Sequence, residues 1–92
     1  MQAQPNQSLV RATVQSQEPA GDGLGAWAEL HIDQVSEVEG QANWAQSLEG
    51  STVLVFVPPP LVAGIQNQSQ VRGRLSYRGG PRGGTYSLVA LG

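Results

Sequence analysis

Apolar and polar residues alternate with period two through most of this chain. In residues 9–15, Val10, Ala12 and Val14 fall on one side, and Arg11 and Thr13 on the other. That alternation marks a half-buried strand. Residues 26–35 repeat it, with Ala28, Leu30 and Ile32 inward and Trp27, Glu29, His31 and Asp33 outward. Residues 52–57 are apolar on both sides, which predicts a central strand covered on both faces. The alternation returns in residues 70–78, with Val71, Gly73, Leu75 and Tyr77 inward and Arg72, Arg74, Ser76 and Arg78 outward. A fifth strand, residues 85–91, turns Tyr86, Leu88 and Ala90 toward the core.

The connecting segments carry turn chemistry. Residues 1–7 are polar and read as a disordered tail, either native or a start codon before a trimmed mature sequence. Residues 18–25 hold four turn-forming glycines and prolines around Asp22 and form a loop. Residues 36–50 are polar, and residues 43–48 fit one helical turn with Asn43 as its N-cap. Pro58, Pro59 and Pro60 form a stiff connector or a polyproline ligand. Residues 61–65 then fit one or two helical turns, with Pro60 at the first helical position, where a missing N–H costs little.

The order is three strands, a short helix and two strands, in residues 8–92. This all-β arrangement resembles the OB-fold, a five-stranded Greek-key barrel with a short helix between strands 3 and 4. Val71-Arg72-Gly73-Arg74-Leu75 is similar to strands of such barrels, with Gly73 at a bend. The resemblance implies that the first strand pairs with the fourth. It also implies a ligand surface on the second and third strands, bordered by the loop between the fourth and fifth. SH3-like barrels share much of the same pattern.

Ninety-two residues make one domain with one small core. There is no cysteine, so no disulfide and no thiol nucleophile. A single histidine cannot supply a multi-histidine metal site. No cofactor is expected. The net charge of −2 argues against a broad positive field for nonspecific binding to nucleic acid or anionic lipid. Three prolines interrupt the longest apolar run, so no membrane span is expected.

Charge is nevertheless sorted along the chain. Residues 51–92 carry four arginines and no acid, whereas residues 1–50 carry seven acids and one arginine. Two Arg-Gly-Gly units, from Arg78 and Arg82, sit at the tip of the hairpin between the last two strands. Arginine offers a planar fork of donors that suits phosphate or stacks on bases, and glycine admits close backbone approach. The same segment also reads as a solvated turn. Arg72, Arg74 and Arg78 share one strand face, which Arg11 joins if the first and fourth strands pair. Their counter-charge is either an anionic ligand or the chain's own Glu29, Asp33 and Glu49.

Trp27 on the second strand offers a stacking platform, or is simple core if that strand is covered. Trp44 is expected to plug the barrel end. Gly21-Asp22-Gly23-Leu24-Gly25 lacks the pattern of a nucleotide-phosphate loop. His31 between Glu29 and Asp33 resembles part of an acid–base pair, but no nucleophile accompanies it.

The expectation is therefore a non-enzymatic binding module. One reading is weak binding of single-stranded nucleic acid through Trp27, Arg72, Arg74, Tyr77, Arg78 and Arg82. The alternative is a protein-interaction or assembly module, including head-to-tail docking of copies through opposite charge.

Overall fold

A computed structural model describes residues 6–21, 23–43, 45–80 and 83–92. The chain forms β1 (Ser8–Pro19), β2 (Ala26–Glu37), a 3₁₀ turn (Gln46–Leu48), β3 (Thr52–Val57), α1 (Pro59–Val62), β4 (Gln70–Gly80) and β5 (Gly83–Leu91). The strands close into a barrel in the order β1-β2-β3-β5-β4. Neighbours are antiparallel except β3 and β5, whose short parallel pairing, Val55 to Tyr86 and Phe56 to Ser87, shuts the barrel. This is the five-stranded Greek-key barrel of the OB-fold, with α1 between β3 and β4. No helix among the described residues is long and apolar enough to cross a membrane.

The inward positions follow the alternation. Val10, Ala12, Val14, Ala28, Leu30, Ile32, Val55, Val57, Leu75 and Leu88 are all buried in one core. Each fully buried Leu or Ile contributes about 1.5–3 kcal/mol by leaving water. Ile65 caps one end, where Leu61 and Val62 of α1 pack against the core. Ser8 and Ala45 close the other, with Ser8 Oγ donating to Asn43 Oδ1 and accepting from Ala45 N.

Gly73 lies at a close approach. A Cβ there would sit 2.6 Å from the Ala90 carbonyl oxygen and 2.9 Å from Leu88 Cδ1. The glycine therefore admits β5 to β4 at contact distance, which is how it serves the barrel corner.

Several expectations are corrected. β3 is not covered on both faces: Val55 and Val57 are buried, but Leu54 is 56% exposed. Among the described residues no further layer lies over the outer side of β3, so its apolar pattern reflects a half-open strand. β5 carries a bulge, because Arg74 pairs with Ala90 while Leu75 pairs with Leu88. Val89 is the extra residue, so Leu91, not Ala90, joins the core. Pro59 rather than Pro60 takes the first helical position, after Pro58 in an extended conformation. Asn43 is not the cap of the 3₁₀ turn, since Ala45 holds that place without a side-chain cap.

Asn6 and Gln7, expected in the tail, attach to the barrel. Gln7 N donates to the Ala42 carbonyl at 3.2 Å. Asn6 is buried, and its carboxamide pairs with one backbone residue. Nδ2 donates to the Tyr77 carbonyl at 2.9 Å, and Oδ1 accepts from Tyr77 N at 2.6 Å. Residues 1–5 and Trp44 lie outside the described residues.

Candidate ligand-binding face

β4 sets out the arginines. Residues two apart on a strand sit about 6.6 Å apart on one face. Arg72, Arg74 and Arg78 are all exposed on the outer side of β4, with Ser76 between the last two. The β1–β4 ladder places Arg11 directly opposite Arg72 and Leu9 opposite Arg74. The pairing implied by the resemblance thus brings a fourth guanidinium into the row. Arg82 lies outside the described residues.

The described acids of the chain do not neutralise this row. The Glu49 carboxylate accepts a 2.8 Å hydrogen bond from Val35 N on β2. Asp33 Oδ2 accepts from Thr13 Oγ1 at 3.0 Å, and its Oδ1 lies 3.8 Å from His31 Nε2. Among the described residues, Arg11, Arg72, Arg74 and Arg78 have no carboxylate within ion-pair distance.

Trp27 belongs to a neighbouring surface. It is half-buried on the outer side of β2, opposite Phe56 of β3 and Glu18 of β1. The indole and the Phe56 ring meet edge to face, with centroids 5.3 Å apart. Phe56 continues through Ser87 of β5 to Ser76 of β4 by ladder pairing. A surface groove runs here, lined by Phe56, Ser76, Arg78, Ser87 and Val89. It links the aromatic pair to the Arg78 end of the guanidinium row.

Tyr77 stands on the other side of β4. Its ring packs on Tyr86, centroids 4.8 Å apart and planes tilted by 54°. Burial raises the Tyr86 phenol above its usual value, and the adjacent Tyr77 raises it further. A Cβ on Gly84 would collide with the Tyr77 ring. The glycines at the base of the tip therefore make room for that ring. The structure puts Arg78 in one groove with Phe56, the ring partner of Trp27, joins Arg72 and Arg74 to Arg11, and turns Tyr77 to the other side of β4.

His31 contributes to a polar strip farther along the β2 face. Its Nδ1 lies 3.3 Å from Thr52 Oγ1, and its Nε2 faces Asp33. Phe56 and Arg11 complete the face, and Phe56 was missed because an apolar residue in an apolar run looks like core. Its position opposite Trp27 in the β2–β3 ladder is the signal that finds it. Comparison with family models, with curated proteins and with solved structures finds no match to this chain.

Proposed function

We propose that this chain is a non-enzymatic binding module for single-stranded nucleic acid. The outer face of β4 and the adjoining groove carry the ligand. Arg11, Arg72, Arg74 and Arg78 take phosphates, and Phe56 and Trp27 stack bases. The observation that carries this reading is that four exposed guanidiniums share one surface, with no carboxylate among the described residues in ion-pair reach. A row of like charges repels itself and is stabilised by an anion. A phosphodiester strand supplies repeating anions beside stackable rings. Guanidiniums on alternate strand positions offer a matching repeat.

Affinity is expected to be modest, because the net charge of −2 gives no long-range attraction. Titration of a labelled single-stranded oligonucleotide across salt concentrations tests the reading. Binding must be strongest at the lowest salt and weaken steadily as salt rises. Absence of binding at low salt would rule the reading out.

A further inference from the structure

Two surfaces of the barrel carry opposite charge that no described residue compensates, and a bulge separates them. Along β1, Val14 pairs with Leu30 and Ser16 with Glu29, so Gln15 is an extra residue. The bulge reverses the inside–outside parity of everything after it. Arg11 and Glu18, seven positions apart, would otherwise point to opposite sides. Both instead lie exposed on the outside of the barrel, at most about 23 Å apart along the strand.

At the Glu18 end, Ser16, Glu18, Trp27, Glu29 and Leu54 line a surface depression. Neither the Glu18 nor the Glu29 carboxylate makes a hydrogen bond or ion pair among the described residues. Leu54 is 56% exposed beside them, an apolar centre next to an acidic rim. At the Arg11 end the arrangement recurs with the sign inverted. Half-buried Leu9 lies between Arg11 and Arg74, with Arg72 opposite Arg11.

We propose that the depression at Trp27 receives the β1–β4 arginine face of a second copy of this chain. The indole and two carboxylates suit a guanidinium, by cation–π attraction and charge-assisted hydrogen bonding. Leu54 of one copy covers Leu9 of the next. The two surfaces differ, so the contact is heterologous, and repetition generates a ring or a short open chain. The inference does not depend on the nucleic-acid reading. It adds one linkage to it: an oligonucleotide competes with the second copy for Arg11, Arg72 and Arg74.

Analytical ultracentrifugation of the full chain without nucleic acid tests the proposal. At low salt the mass should exceed the 9.7 kDa of one chain, and it should fall to that value as salt rises. Arg11→Glu with Arg72→Glu turns the arginine face net acidic, so both surfaces are acidic, and Glu18→Arg with Glu29→Arg turns the depression basic, so both are basic. Each variant alone should be a monomer, and an equimolar mixture should assemble again, because every contact then pairs acid with base. Recovery in the mixture also shows that both variants are folded. Wild-type protein that is monomeric at low salt, a single variant that still assembles, or a mixture that stays monomeric overturns the proposal. Because no oligonucleotide is present, these outcomes leave the nucleic-acid reading to its own titration.

Discussion

The rings of Trp27 and Phe56 meet edge to face across the β2–β3 ladder, their planes inclined by 67°. Each ring fixes the other's orientation while both stay half-exposed. Stacking a base on one aromatic ring contributes about 1–3 kcal/mol. Trp27→Ala and Phe56→Ala should therefore each weaken oligonucleotide binding by about five- to 150-fold, while Trp27→Phe retains most of it. Fluorescence anisotropy at fixed low salt measures this. Unchanged affinity in both alanine variants would remove the aromatic pair from the ligand face.

Arg74 and Arg78 should act differently from the aromatic residues. A phosphate contact on a single strand changes the slope of log affinity against log salt by about 0.7. Arg74→Gln and Arg78→Gln should each flatten the slope by about that amount and weaken all sequences alike. An affinity loss with an unchanged slope would show that the guanidinium does not touch phosphate.

Leu30 and Leu54 face opposite ways on paired strands, and their truncation should differ sharply. Leu30→Ala empties a fully buried site and should cost about 2–5 kcal/mol. Leu54→Ser alters an exposed position and should stay within about 0.5 kcal/mol. Urea denaturation of the two variants reads the difference. Equal losses would mean that the outer side of β3 is covered after all.

Tyr86 links the hairpin to alkaline pH. Its phenol is raised in the fold by burial and by Tyr77, so the folded chain holds this proton more tightly than the unfolded chain. The stabilisation is fully present below the unfolded value, about pH 10, and is lost as pH rises through the higher folded value. Wild-type protein should lose stability in that window, and Tyr86→Phe should lose less. Denaturation curves collected between neutral and strongly alkaline pH, with tyrosinate absorbance as a second readout, check both statements.

The barrel was legible in the sequence because inward positions alternate through most of the first, second and fourth strands. Val10, Leu30 and Leu75 announce their face by their polar neighbours. Leu54 does not, since a residue flanked by valines carries no mark of which side lacks a covering layer. The bulges at Gln15 and Val89 were equally silent. Each depends on how two paired strands fit around a small barrel, and no local residue preference encodes it. The arginine row was foreseeable from spacing alone, whereas Arg11 needed the strand order and Phe56 needed the register. The outward turn of Arg78 and the inward turn of Tyr77 follow from one rule, which is why adjacent residues of β4 cannot serve the same surface.

The Asn6–Tyr77 pairing bears on how the chain behaves in a crowd. The β1–β4 ladder ends at Ser8 and Leu75, while β4 runs on to Gly80. Beyond Leu75 no strand pairs with that side of β4 among the described residues, and an unpaired strand side is the kind of surface on which a foreign strand adds itself. The Asn6 carboxamide occupies the Tyr77 rung as a backbone amide would, with one bond given and one accepted. A single side chain thus extends the ladder by one rung beyond Ser8. Asn6→Ala removes these two hydrogen bonds, and it should speed thioflavin-positive assembly of the native protein relative to wild type; an unchanged rate would show that the pairing does not guard this side of β4.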